Sequence, residues 1–310
     1  MPRIATLTMN PTIDVSYDVP RVRHTHKMRT SNEQYAPGGG GINVARMFQR
    51  LGGEALNFYV SGGATGATLD GLLEAAGLRC CRIPIGGDTR IASAVHELET
   101  GKEYRFTPGG PTITEAEWQA CLSALQDALP LDALVLSGSL PHGVPADFYA
   151  RVSERAKACG TPVVLDTSGP ALAAGLEAGH LMLVKPSQGE LSALVGRSLD
   201  TVEAIGEEAM RLVAAGSARY VAVTLGHLGA VLAQAEGTTY LPAPQIEAKS
   251  AVGAGDSFVA AMVYALTSGR TVKDAFCFGM AAGSAAVLSP GTDLAQADDV
   301  ARLYAQICDC

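Results

Sequence analysis

From about residue 130 onward, short apolar runs alternate with longer amphipathic stretches. The runs 133–137 (ALVLS), 163–166 (VVLD), 181–184 (LMLV) and 220–224 (YVAVT) are each followed by polar or turn residues and then by a segment of helical period. Short apolar runs bounded in this way predict strands, and the amphipathic stretches predict the helices that cover them. Repetition of this unit predicts an α/β fold on a mainly parallel central sheet. In such a sheet, functional groups are expected just beyond the C-terminal ends of the strands.

Two earlier stretches, 15–36 and 89–106, break the rhythm. In the second, IASAVHEL and KEYRF flank the turn signal Glu99-Thr100-Gly101 and predict a β-hairpin. Together the two stretches are expected to form one small sheet, inserted into a main domain made of 1–14, 37–88 and 107–310. A few strands are not stable alone in water, so this sheet is expected to pack on the main domain as a lid, and to clasp a second copy of itself. After Leu294, AQADDVARLYAQI carries apolar residues at helical spacing and predicts a final helix.

Charge narrows the function. A formal net charge of −8 with no Lys/Arg run argues against nonspecific binding to nucleic acid or to an anionic membrane. Any phosphate must therefore be held by a local site. The first 14 residues lack the apolar core of a signal peptide, and the longest apolar window, 275–288, is too short and too rich in Gly and Ser to span a bilayer. A cytoplasmic protein is expected. Seven cysteines without a CxxC pair predict reduced thiols, and the six histidines show no metal-ligand spacing.

The strongest local signal is SAVGAGDSF (250–258), a glycine-rich turn opening into a helical segment. The free N–H groups of Gly253, Ala254, Gly255 and Asp256 are expected to point out of the helix start, where the macrodipole adds positive charge and an anion can be held. Asp256 could simply cap the helix. A lone carboxylate between two glycines beside an anion hole is better suited to taking a proton from an alcohol that attacks phosphate. The run PGGGGINVAR (37–46) reads equally as a hinge or as a loop passing close to a sugar, with Asn43 offering both a donor and an acceptor. Asp14, expected at the end of the first strand, is a candidate ligand for a sugar hydroxyl or an exposed turn residue. Arg90, Arg105 and Lys27 lie in the lid stretches and could clamp a phosphate. Lys185 could meet nucleotide phosphates, Glu190 could hold a Mg²⁺-bound water, and Gly226 could let a nucleotide approach the backbone, each with an ordinary turn as its alternative.

Together, PGGGGINVAR, SGSLPHG and VGAGDSF resemble the PfkB (ribokinase-like) family of carbohydrate kinases, and within it the 6-phosphofructokinase branch, through TLTMNPTID, GGATG, EYRF and AAGSAAVL as well. The resemblance implies a three-layer α/β/α domain with a β-sheet lid that dimerises. It implies ATP-dependent phosphorylation of fructose 6-phosphate at its 1-hydroxyl, with Mg²⁺. Tagatose 6-phosphate and fructose 1-phosphate kinases are the alternatives, although they usually carry a lysine where this chain has Gly40. A catalytically weak sugar-phosphate sensor is the alternative of another class.

By the same resemblance Asp256 is the base, and Asp14, Gly39, Asn43 and Ser139 contact the sugar. Arg90, Arg105 and Lys27 hold its phosphate, and Lys185, Ser187, Thr224 and Gly226 meet the nucleotide. Backbone carbonyls of Ser250, Val252, Ala286, Ser289 and Gly291 would bind K⁺. Two positions depart from the family pattern: Ser187 replaces the Asn of N-x-x-E, and Asp293 replaces a residue that is often basic.

Overall fold

The computed structural model describes residues 3–247, 249–250, 252–289 and 291–308. Among them the strands are β1 (Ile4–Thr8), β2 (Thr12–Val19), β3 (Ser31–Gly38), β4 (Ala55–Ser61), β5 (Arg79–Pro84), β6 (Arg90–Glu97) and β7 (Lys102–Phe106). They continue with β8 (Ala133–Ser137), β9 (Val163–Asp166), β10 (Leu181–Val184), β11 (Ala218–Thr224), β12 (Gly229–Gln234) and β13 (Gly237–Pro242). The helices are α1 (Gly40–Arg50), α2 (Gly63–Ala75), α3 (Glu115–Ala128), α4 (Phe148–Ala158) and α5 (Gly169–Ala178). α6 (Gln188–Val195), α7 (Val202–Ala214), α8 (Ala254–Thr267), α9 (Val272–Ala286) and α10 (Ala297–Cys308) complete the set.

The four apolar runs lie side by side in a nine-stranded sheet of order β13-β12-β11-β10-β9-β8-β1-β4-β5. Neighbours from β11 through β5 run parallel, and β12 and β13 continue the edge antiparallel. Alternate side chains of each strand feed opposite cores. Leu134, Leu136 and Leu165 pack with α3, α4 and α5 on one face, while Val135 and Val164 meet Phe258, Met262 and Phe276 of α8 and α9 on the other. Both layers are fully developed, which is why β1 and β8 are buried along their whole length. Each large apolar side chain enclosed in this way contributes about 1.5–3 kcal/mol. The expected three-layer α/β/α architecture is therefore present, and the final helix expected after Leu294 is α10.

A second sheet has the order β3-β2-β6-β7. β2 and β6 run parallel at its centre, and β3 and β7 flank them antiparallel. The hairpin expected over 89–106 is β6 and β7. Paired residues share a face, so Thr12, Asp14, Arg90, Ala92 and Arg105 point one way, and Ile13, Val15, Tyr35, Ile91 and Phe106 point the other. Ile13 and Val15 anchor the sheet by packing with Ile42, Tyr59, Leu69 and Leu73.

The structure corrects one expectation. The chain's first strand ends at Thr8, and Asp14 lies on β2 of the lid sheet rather than at the end of that strand. A bend at Met9 and Asn10 followed by Pro11 separates the two strands, since proline cannot donate to a continuing ladder.

The six described cysteines are free thiols, and Cys310 lies outside the described residues. No helix among the described residues is long and apolar enough to cross a membrane.

Candidate active site

The site is built on the start of α8. Gly253 precedes the helix with φ 69° and ψ 4°, and a Cβ there would stand 2.4 Å from Leu294 Cδ2, so a side chain would strain the backbone and have to displace Leu294. No side chain caps this helix. Asp256 lies inside the first turn, which removes the capping alternative left open by the sequence. The amides of this turn have no partner four residues back in the helix and remain available to an anion. Ala251 of the motif lies outside the described residues.

Asp256 opens onto a cavity of about 310 Å³ between the lid and the C-terminal ends of β8 and β9. Asp14, Gly39, Asn43, Arg90, Arg105, Ser139, Glu190, Val252 and Gly253 line it as well. Asn43 Nδ2 donates to Asp256 Oδ2 at 2.9 Å. Burial, reinforced by the nearby Asp166 charge, pushes the Asp256 carboxyl up to about 7; the Asn43 hydrogen bond and Lys185 oppose that rise. Burial likewise pushes Asp14 up to about 6, against the pull of Arg105, Arg46 and Arg90. A carboxyl poised near neutral pH, in a cleft and beside an anion hole, is suited to general-base work.

The glycine run does more than pass a ligand. α1 begins at Gly40, with Gly39 at its N-cap (φ 108°). A Cβ on Gly41 would lie 2.5 Å from the Leu7 carbonyl, and one on Gly40 would lie 2.2 Å from Ser137 Oγ and 2.8 Å from Gly138 N. These glycines let the helix start press against the ends of β1 and β8, which sets Asn43 facing Asp256.

The three cations fare differently. Arg90 reaches the cavity but also braces its rim, with Nη2 donating to Asn10 O at 2.7 Å and Nη1 to Pro108 O at 2.9 Å. Arg105 shares its lid face. Lys27 is exposed in the connection between β2 and β3 and does not line the cavity of its own chain. Ser139 accepts a hydrogen bond from Asn10 Nδ2 at 3.2 Å.

A second cavity of about 470 Å³ lies on the other side of the α8 start, lined by Thr224, Gly226, Ala254 and Gly255 and by the apolar side chains of Ile246, Phe258, Met280 and Val287. Such a slot suits a flat apolar ring system. Lys185 is buried with Asp166 at 3.1 Å, and its Nζ would lie 3.3 Å from a Cβ on Gly255. Burial works against its charge, but Asp166, Glu190 and Asp256 outweigh it and hold the ammonium above its usual pKa. Ser187 and Glu190 form a capping box on α6, in which Ser187 N donates to Glu190 Oε2 at 2.7 Å and Ser187 Oγ accepts from Glu190 N. Glu190 still faces the first cavity.

Of the carbonyl set, Ser250 N donates to Val287 O, just past the end of α9, as does the neighbouring Lys249 N, and Ser289 N donates to Ala286 O. Gly291 sits against Ser16 of the lid. Asp293 is held by Arg50 at 2.6 Å, which accounts for an acidic residue at that position.

Sequence reasoning missed Asp166 and Arg46. Asp166 closes the run VVLD, and a carboxylate at the C-terminal end of a parallel strand is a usable signal. Arg46 stands three residues after Asn43, on the same helix face.

The chain is similar to known proteins in sequence and in fold. The profile of pfkB family carbohydrate kinases matches residues 7–299. The ATP-dependent 6-phosphofructokinase isozyme 2 of Mycobacterium tuberculosis is 43% identical over 306 residues, covering 98% of this chain and 89% of that protein. The crystal structure of phosphofructokinase-2 from Escherichia coli in complex with potassium is 37% identical and superposes with a TM-score of 0.95 over 99% of this chain and 100% of that one. The same enzyme in complex with fructose-6-phosphate superposes with a TM-score of 0.93 at 36% identity and the same coverage. With its profile, its relatives and its fold in agreement, this chain belongs to the pfkB family of carbohydrate kinases.

Proposed function

We propose that this chain transfers the γ-phosphoryl group of ATP to the 1-hydroxyl of fructose 6-phosphate, giving fructose 1,6-bisphosphate and ADP. The observation that carries this reading is the position of Asp256, held by Asn43 at a helix start that borders both cavities. Asp256 takes the hydroxyl proton, and the sugar oxygen attacks the γ-phosphorus in line. The bond to the β-phosphate oxygen then breaks and its electrons leave with ADP. The amides of 253–256 stabilise the charge of the transferring group. Asp14, Gly39, Asn43 and Ser139 orient the sugar, while Arg90 and Arg105 hold its phosphate. Thr224, Gly226 and Lys185 border the nucleotide, with Ser187 setting the turn beside them.

Mg²⁺ and K⁺ belong to the same reading. Among the described residues no cluster of three or more His, Cys, Asp or Glu could cage a metal. Mg²⁺ carried by a nucleotide needs only one or two carboxylates, and Glu190 and Asp166 both face the first cavity. The metal would supply positive charge to the phosphates. For K⁺, the carbonyls of Ser250, Val252, Ala286, Ser289 and Gly291 are the proposed ligands. Support comes from Ser250 N and Ser289 N, which donate to Val287 O and Ala286 O at the C-terminal end of α9, where the helix dipole favours a cation.

The lid supports a homodimer. Its face turned from the cavity leaves Tyr35 61%, Ile91 43% and Phe106 60% exposed, an apolar surface suited to a second copy.

A panel of phosphosugars assayed with ATP tests the function. Fructose 6-phosphate is expected to give the highest kcat/KM, ahead of tagatose 6-phosphate and fructose 1-phosphate. Sugar-phosphate binding without ADP release from any of them would refute the kinase reading.

A further inference from the structure

Arg46 is not aimed at solvent. Its Nη1 donates to Asn43 Oδ1 at 3.3 Å and to the carbonyl of Pro37 at 2.9 Å. Asn43 is itself only 6% exposed, and its other amide end, Nδ2, meets Asp256 Oδ2 at 2.9 Å. A primary amide has one acceptor end and one donor end. Turned over, this amide would set its oxygen against a carboxylate oxygen and its NH₂ against a guanidinium, so that both contacts would repel.

We propose that Arg46 is a positioning residue for phosphoryl transfer: by holding Asn43 Oδ1 it fixes which end of the amide meets Asp256, and by holding Pro37 O it ties the entry of the glycine run to the same point. The inference rests on the reading of Asp256 as the base. The charges around Arg46 come from four elements: Arg50 on α1 itself, Asp14 on β2, Asp256 on α8, and Asp293 beyond α9. Those around Asp256 are Asp166, Lys185 and Asp14. Arg46 thus feels two of the carboxylates that line the sugar cavity, Asp14 and Asp256, and contacts the amide that touches one of them.

A purely structural role would cost stability without altering the titration of the base. Steady-state kcat is therefore measured against pH, at saturating ATP and fructose 6-phosphate, for the wild type, Arg46→Gln, Asn43→Ala, the double variant and Asp256→Asn. Arg46→Gln is expected to lower kcat roughly tenfold to a hundredfold through misplacement of the base. Its acidic limb is expected to move to higher pH, because Asp256 loses an ordered donor to its charged form. The double variant is expected to be no slower than Asn43→Ala, since Arg46 acts through that amide.

An unmoved limb in Arg46→Gln, or losses that multiply in the double variant, would overturn the positioning role. If Arg46→Gln fails to give a cooperative thermal melt, Arg46→Lys takes its place. Its ammonium lacks the planar fork, so a lower kcat with the limb displaced in the same direction is expected, and an unmoved limb overturns the proposal equally. Near-normal turnover by Asp256→Asn would remove the base, and this inference with it. An inactive Asp256→Asn beside an unmoved limb in the Arg46 variant would overturn the positioning role alone.

Discussion

Asn43 Nδ2 and Asp256 Oδ2 lie 2.9 Å apart although 213 residues separate them in the chain. One stands in the first helix and the other at the start of the eighth, and the contact joins the glycine run that opens α1 to the glycine-rich start of α8. It also sets the electrostatic balance of the site, since the Asn43 donor favours the charged carboxylate while burial and Asp166 favour the neutral acid.

That balance fixes a pH profile. With Asp256 pushed up to about 7, the base form is populated above that pH, and kcat is expected to fall as pH drops through it. Stability should move the opposite way. A carboxyl whose folded-state pKa is raised contributes stability that is present below its unfolded pKa and lost as pH rises through about 7. Asp256→Asn is therefore expected to melt higher than the wild type at pH 8, with the gap shrinking steadily as pH falls toward the ordinary carboxyl value of 3.8. A melt that is lower at pH 8 would contradict the buried-charge account.

The two lid arginines should separate in their effects. Arg105→Ala is expected to raise KM for fructose 6-phosphate by about tenfold to a hundredfold with little change in melting temperature. Arg90→Ala should raise KM as well, but should also destabilise by about 1–3 kcal/mol, because the carbonyls of Asn10 and Pro108 lose their donor. Matching KM values with matching melts in both variants would argue against the bracing role of Arg90.

Lys185 and Asp166 form a pair whose side chains are 7% and 14% exposed. Removing one partner strands the other, so Lys185→Met is expected to cost about 3–5 kcal/mol at pH 8 by urea unfolding. Burial raises the Asp166 carboxyl even with its partner present, so the cost should shrink toward pH 5 as the stranded group is protonated. Lys185→Met combined with Asp166→Asn is expected to recover most of the loss. A single variant as stable as the wild type would show that the pair carries no such burden.

The lid face is tested by sedimentation. Phe106→Glu combined with Tyr35→Glu places charge on the exposed apolar surface and is expected to convert a dimer to a monomer. A wild type that sediments as a monomer, or a double variant that remains dimeric, would contradict the clasp.

The central sheet was legible because its strands are short, apolar and buried on both faces, so 133–137, 163–166 and 181–184 stand out with their observed ends. The hairpin was legible from its turn residues at 99–101. Asp14 was placed on the wrong strand because a two-residue bend before Pro11 carries little pattern of its own. Side-chain pairings between distant elements were not legible: Arg50 at the end of α1 and Asp293 beyond α9 meet across 243 residues, and nothing local in either marks the other. Ser187 and Glu190 show the reverse case. Their S-x-x-E spacing is a capping-box signal, yet the strand-end position drew Glu190 and family resemblance drew Ser187 toward ligand roles, while the structure gives both a local one as well.

The most direct test of the account is turnover by Asp256→Asn with ATP and fructose 6-phosphate, followed as ADP release. Loss of the proton acceptor with the anion hole intact is expected to lower kcat by about two to four orders of magnitude, with fructose 6-phosphate still bound. Near-normal turnover in that variant would contradict the central claim.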